Sequence, residues 1–344
     1  MLFEKNIIKI RKKFDKKKIN KIKKQPNKSK KLLNIILSLF ICIIIFYLFF
    51  IFKRILFTKN TNINNTEISN QAISHTERPK IIAISYANRF YQSQLRLNKK
   101  SALEVGKVDE HYTFGPNDID PEFKEKNKEI LSKNRGNGLW LWKPYFIHKV
   151  FKEKLKEGDY LIYSDAAILY MNSMYQVIDF LKEQNAEMWF NRLDLKEKYY
   201  SKRDAFILMG VDMPFYSETY QYMGGIQIYR KSKFTEKFIE QLLFYSQDKR
   251  IITDDHNKLG VENYKGFIDN RHDQTVLSLL IKKYGVANSG NPTLTPDEIN
   301  NGKHILMPNI FCIYRRMGFK DYEDLKKKCE KVIERQEKVK MFTI

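Results

Sequence analysis

Cysteine is scarce in this chain, at three residues in 344. Cys42 lies inside an apolar run near the start, which leaves Cys312 and Cys329. These two fit one disulfide in an oxidising compartment, or equally two unpaired thiols. There is no CxxC and no Cys/His cluster, so nothing points to structural zinc. Gly-rich phosphate loops of the GxGxxG or GxxxxGKS/T type are missing, and so is GxSxG, the strand-turn-helix setting of a serine nucleophile. No internal repeat is visible. Acid is nearly absent from the start: residues 1–31 hold Glu4 and Asp15 against fourteen Lys and Arg.

Directly after that tail comes the longest hydrophobic run in the chain. Leu32 to Phe52 is 21 residues without a charge, and only Asn34 and Ser38 are clearly polar. At 1.5 Å per residue, a helix of that length spans roughly 30 Å, the thickness of a bilayer's hydrocarbon core. Positive flanks stay cytoplasmic, so residues 1–31 are expected inside and the large C-terminal part outside or in a lumen. A cleaved signal peptide fits poorly: the leader is long, the apolar core exceeds 7–15 residues and no small-x-small site comes after it. The expectation is a retained signal anchor, hence a single-pass type II membrane protein.

The formal charge of +22 does not argue for nucleic acid, because +12 of it sits in the tail. The remainder is spread through segments where Lys alternates with acid, as in Lys152-Glu153-Lys154, the pattern of a solvated helix face. The tail is a topogenic signal that can also meet anionic lipid headgroups.

Residues 53–78 read as a stem. From 57 onward they are rich in Asn, Thr and Ser and lack apolar periodicity. Asn64-Asn65-Thr66 is a glycosylation sequon, usable only in a eukaryotic secretory route. A globular domain is expected over 79–344, long enough for one large α/β unit. Buried strands are expected at 80–86, 159–164, 187–190 and 224–229. Helices are expected at 88–104, 122–134, 145–156, 174–184, 233–247 and 273–284. Strands alternating with helices predict a mostly parallel sheet covered on both faces. A charged helix at 321–340 reads as solvated.

Three segments can carry chemistry. In Gly136-Asn-Gly-Leu-Trp-Leu-Trp-Lys-Pro-Tyr145, Trp140 and Trp142 would share a face if the piece is extended. Such a platform suits a nucleobase or a sugar ring, Lys143 can pair with phosphate and Pro144 can open a helix; alternatively both tryptophans are core anchors. Asp165 follows the strand Tyr160-Leu-Ile-Tyr-Ser164, at the end of the sheet where open α/β folds bind ligands. A carboxylate there can hold a metal that neutralises a diphosphate, or it can cap a helix. In Asn270-Arg271-His272-Asp273-Gln274, Asp273 is a cap, a base or an orienting group. Lys202-Arg203-Asp204 and Gln221-Tyr-Met-Gly224-Gly225 lie between; the Gly pair allows close approach to the backbone or marks a bulge.

The order Trp-x-Trp-Lys-Pro, hydrophobic-Tyr-x-Asp-Ala, Gln-x-x-Gly-Gly-hydrophobic and His-Asp-Gln resembles bacterial and viral glycosyltransferase-like proteins of the GT-A nucleotide-sugar fold, over about 80–290. The resemblance implies a Rossmann-like sheet, a nucleotide-diphosphate sugar donor and commonly Mn²⁺ or Mg²⁺, held in such enzymes by Asp-x-Asp after a central strand. Here Asp165 is followed by Ala166 and Ala167, so the second acid is missing. Asp165 remains the candidate for metal and donor. Gly224-Gly225 and Gln221 look like the acceptor-side strand of glycogenin-like transferases, and His272, Asp273 and Gln274 like their later segment near the reacting sugar.

The implied reaction transfers a sugar to a hydroxyl of a glycan, protein or lipid. Lys143, Arg203 or Arg271, with metal if present, would stabilise the leaving diphosphate; Trp140 and Trp142 would flank the donor. An inverting enzyme would use Asp273 or Asp204 as base. Tail, anchor, stem and domain in that order is the layout of Golgi transferases, with the domain lumenal (Golgi or ER) or extracytoplasmic. The competing readings are a non-catalytic sugar-binding ectodomain and an α/β hydrolase or phosphotransferase using Asp165 and Asp273.

Overall fold

The computed structural model describes residues 78–286, 310–314 and 317–341. The basic tail, the apolar run, the sequon and nearly all of the stem lie outside these residues. The chain divides into two units, Met1–Glu77 and Arg78–Ile344, and the second is described here. Among the described residues no helix is long and apolar enough to cross a membrane.

A five-stranded sheet forms the centre. Its strands are β1 (Ile81–Tyr86), β2 (Glu110–Phe114), β3 (Tyr160–Ser164), β5 (Met188–Lys196) and β6 (Tyr220–Arg230). They lie in the order β2-β1-β3-β6-β5. β1 pairs in parallel with β2 and with β3. β6 is antiparallel to both β3 and β5, so four strands run one way and β6 runs against them. The sheet is mostly parallel in direction, as expected, but the Gly-Gly strand enters it reversed.

Period-2 alternation sorts side chains to the two faces. Ile82, Ile84, Leu161, Tyr163 and Phe190 face one core, with helices α2 (Trp142–Glu153), α4 (Lys233–Ser246) and α5 (Asp273–Lys283). Ile81, Ala83, Tyr160, Ile162 and Trp189 face the other, with α1 (Gln92–Glu104) and α3 (Tyr175–Glu183). In α3 the stripe Val177, Ile178 and Leu181 is fully buried, the spacing of one helix face. Both faces of β1 and β3 are therefore covered, which explains why each is apolar apart from one serine.

Two expectations need correction, and one condition is not met. Residues 121–131 form two short helices separated at Asn127 rather than one continuous helix. Residues 136–145 are not extended: a left-handed turn leads directly into α2, so Trp140 and Trp142 share no face. The C-terminal helix α6 (Tyr322–Met341) is not solvated all round. It buries Leu325 and Cys329 against Leu169, Cys312 and Tyr314.

That last contact belongs to a small second sheet, in which β4 (Ile168–Tyr170) pairs antiparallel with β7 (Phe311–Ile313). Cys312 of β7 is disulfide-bonded to Cys329 of α6, 17 positions along the chain. Closing a loop of this size constrains the unfolded chain by roughly 3 kcal/mol. Cys329→Ser is expected to lower the unfolding free energy by that much, read as a lower urea midpoint with an equal or steeper slope because the unfolded chain is released, and dithiothreitol should then have no further effect.

Candidate active site

The site is assembled at the carboxyl end of β3. Asp165 leaves that strand with its N–H donating to the Gly225 carbonyl at 2.9 Å, and Tyr163 donates its hydroxyl to Oδ1 at 2.7 Å. Asp165 leads into β4, not into a helix, so it is no helix cap.

Lys143 reaches the same point from the first turn of α2. Its Nζ lies 2.7 Å from Asp273 Oδ2, 3.1 Å from the Gly224 carbonyl and 3.7 Å from Asp165 Oδ1. The three side chains are 5%, 7% and 14% exposed for Lys143, Asp273 and Asp165. Asp273 opens α5, with His272 at the capping position, so it is not the cap. Burial raises its pKa against the pull of the Lys143 ammonium and of nearby backbone amides.

The turn that aims Lys143 is strained. Asn137, Leu139 and Trp140 all have positive φ, between 52° and 58°. Gly136 must be glycine, since its φ is +59° and a Cβ would collide with the Trp140 ring. Trp142 locks this turn to the core: its Nε1 donates to the Gly136 carbonyl at 2.9 Å and its ring stacks on Tyr86 at 3.7 Å. Trp140 instead lines the pocket, 5.2 Å from the His272 ring. One tryptophan is thus an anchor and the other a pocket wall.

His272 also has positive φ, 54°. Such backbone costs about 1–3 kcal/mol per residue and gathers where function over-determines it. Its Nε2 lies 2.9 Å from Asp254 Oδ1; burial lowers the imidazole pKa, and Asp254 pulls it back up. Asp254 also meets Arg135, which forks onto Asp269 at 3.1 and 2.5 Å. Arg271 lies 4.8 Å above the Tyr200 ring, and its Nε has no hydrogen-bond partner among the described residues.

Gly224 and Gly225 supply the opposite wall. A Cβ on Gly225 would stand 3.1 Å from Asp165 Oδ2, and one on Gly224 would stand 3.3 Å from Asp273 Oδ2 and 3.5 Å from Lys143 Nζ. The pairing of β5 with β6 also slips here, between Phe190–Gln227 and Arg192–Tyr222. The pair is both a bulge and a close approach. Behind it runs a polar relay: the Gly224 N–H donates to Gln274 Oε1, Gln274 donates to Gln221 Oε1, and Gln221 donates to Glu197, at 3.1, 2.9 and 2.9 Å.

These groups line a cavity of about 420 Å³, within the range of small-ligand sites. Lys143, Asp165, Asp273, Trp140, Arg271, His272, Gln274 and the Gly pair all border it, and Gln221 stands behind them. Arg203 and Asp204 do not border it. Arg203 is clamped on Asp212 and lies 3.9 Å from the Tyr264 ring centre. The Asp204 carboxylate is fully buried and accepts the backbone N–H of Lys258 at 2.6 Å and of Leu259 at 3.4 Å. Sequence reading missed Arg135 and Asp269, which border the cavity, and Asp254, which reaches it through His272 and Arg135. A second cavity of about 800 Å³ opens at the carboxyl ends of β1 and β2, bordered by Asn88, Phe90, Gly115 and Asn137. The 135–143 turn borders both cavities.

No protein-family model matches the chain, and no curated protein matches it in sequence. Among solved structures it is similar to the galactosyltransferase LgtC in complex with donor and acceptor sugar analogues, at 12% identity and a TM-score of 0.36, over 73% of this chain and 95% of that one. Mouse xyloside xylosyltransferase 1 is similar at 10% identity and a TM-score of 0.36, over 60% of this chain and 83% of that one. The bifunctional glycosyltransferase WbbM is similar at 9% identity and a TM-score of 0.36; the match spans 61% of this chain but only 39% of WbbM. Likenesses at this level carry no weight for chemistry, which rests on the chain's own side chains.

Proposed function

We propose that the chain is a membrane-anchored glycosyltransferase that moves a sugar from a nucleotide-diphosphate donor to an acceptor hydroxyl. One observation carries this reading. Asp165, Lys143, Asp273 and the Gly224-Gly225 pair, from four separate segments, meet in one cavity at the carboxyl end of a mostly parallel sheet. The neighbouring cavity beyond β1 and β2 is large enough for a nucleoside, so donor and acceptor can approach from the two sides of the 135–143 turn.

In this mechanism Lys143 and Arg271 receive the charge that develops on the leaving diphosphate. Trp140 gives the sugar an apolar wall. Asp273, whose neutral form burial favours, takes the acceptor proton as the hydroxyl attacks the anomeric carbon. Gln221 and Gln274 hold the glycine wall in register. The residues 32–52 anchor the chain, with the domain lumenal or extracytoplasmic; protease protection of the domain in sealed membranes tests this orientation, and cleavage from the cytoplasmic side contradicts it.

Binding tests the donor half. UDP-glucose and related nucleotide sugars are expected to quench the fluorescence of the wild type, with less than half of that change in Trp140→Phe; no response to any of them contradicts the reading. Gly225→Ala pushes a methyl group against Asp165 Oδ2. It is expected to lower transfer about 10²-fold through misplacement of the carboxylate. Circular dichroism and urea unfolding should show a stability loss of no more than about 1–3 kcal/mol.

A further inference from the structure

The residues that meet at Asp165 do not fit a divalent ion. A carboxylate site for Mg²⁺ or Mn²⁺ places oxygens about 2.0–2.2 Å from the metal, usually from more than one acid plus waters. Here the position after Asp165 is taken by Ala166 and Ala167, both buried. Among the described residues no group of three or more His, Cys, Asp or Glu is arranged to hold a metal. The space between the Asp165 and Asp273 carboxylates is already occupied by a cation: Lys143 Nζ, 2.7 Å from Asp273 and 3.7 Å from Asp165. A third contact, 3.1 Å to the Gly224 carbonyl, fixes it there.

The charge balance agrees. Among the described residues, three cations, Arg135, Lys143 and Arg271, face three acids, Asp165, Asp269 and Asp273, around the cavity. A carboxylate cluster awaiting a metal carries an excess of negative charge; among the described residues this one carries none.

We propose that Lys143 is the resident cation of the pocket, standing where a divalent ion would have to stand, so that the site works without one. The proposal rests on the transferase reading only for the identity of its ligand, a nucleoside diphosphate. Its direct test needs no ligand. Full-length protein in detergent is titrated with Mn²⁺ at neutral pH, and free aquo-Mn²⁺ is followed by electron paramagnetic resonance. Wild type is expected to show no saturable site tighter than about 1 mM, the weak end for oxygen-ligand ion sites. Lys143→Gln uncovers the Asp165–Asp273 pair and is expected to bind Mn²⁺ at least about tenfold more tightly, a gain of about 1.4 kcal/mol. Adding Asp165→Asn should abolish the gain. Micromolar Mn²⁺ binding by wild type that is lost in Asp165→Asn would overturn the proposal, and this measurement stands even if Lys143→Gln does not fold. A folded Lys143→Gln with no gain overturns it too. Calorimetry with UDP and GDP separates the two ideas: affinity in chelator within about twofold of that in Mn²⁺ supports the resident cation. Absence of any nucleoside diphosphate binding would count against the transferase reading and leave the Mn²⁺ result intact.

Discussion

Lys282→Met is expected to lower the unfolding free energy by about 3–5 kcal/mol, the cost of stranding one member of a buried ion pair. Lys282 Nζ lies 2.6 Å from Glu197 Oε2, and both side chains are 0% exposed. Glu197 also accepts hydrogen bonds from Ser201, Gln221 and Ser278. Removing the ammonium leaves a carboxylate with hydroxyl and amide donors but no countercharge. Urea unfolding measures the effect as a lower midpoint at constant slope. The double variant Glu197→Gln/Lys282→Met should recover much of the loss, because a neutral pair carries no stranded charge. An equal or larger loss in the double variant would mean that packing, not charge, dominates there. The relay from Glu197 through Gln221 and Gln274 to Gly224 gives this pair a second readout. In Glu197→Gln the pocket wall loosens, and kcat should fall more than KM rises.

The second large effect is chemical. Asp273→Asn keeps the shape and still offers Lys143 an oxygen, but it cannot take a proton. It is expected to lower kcat by about 10²–10⁴-fold, the usual contribution of a positioned base. Wild-type activity should fall as pH drops through the Asp273 pKa, an acidic limb displaced upward from that of an ordinary Asp because burial raises it. Stability has the opposite sign. A carboxyl raised on folding contributes stability that is complete below the unfolded value, near 3.9 for Asp, and is lost as pH rises through the folded value. Wild type should therefore lose stability relative to Asp273→Asn between those limits. Parallel pH profiles of unfolding for the two proteins would show that Asp273 is not raised.

Much of the frame was legible because the core strands announce themselves. Ile81-Ile-Ala-Ile-Ser-Tyr86 and Tyr160-Leu-Ile-Tyr-Ser164 are buried on both faces, and each is apolar apart from one serine. β2 was not, since Glu110-His-Tyr-Thr-Phe114 is an edge strand with one partner and polar side chains. The reversal of β6 was also hidden: hydrophobic pattern gives no strand direction. The sequence leaves the turn before α2 open because Trp-Leu-Trp alternates like a strand, whereas Gly136 and Gly138, both at positive φ, wind it into a helical entry.

In the site, Asp165, Lys143 and Asp273 carried local signals: an acid after a strand, a Lys-Pro at a helix start, an acid before an apolar helix. Arg135 and Asp269 carried none, because their meaning is a pairing across 134 positions. Lys282 left a trace that reading can recover. Thr275, Ser278 and Lys282 form a polar stripe at helical spacing among the apolar residues Val276, Leu277, Leu279, Leu280 and Ile281, all buried. Such a stripe calls for a buried acid, and Glu197 meets Ser278 and Lys282, while Thr275 joins the network through Ser201.

The central claim is that Asp165, Lys143 and Asp273 form a transfer site for nucleotide sugars. Its most direct measurement is release of free nucleotide when the purified full-length chain is incubated with a panel of nucleotide sugars, with and without Mn²⁺. The expected result is turnover of at least one donor in the presence of chelator, lost in Asp273→Asn and in Asp165→Ala. No turnover or binding of any donor, with or without Mn²⁺, would contradict it.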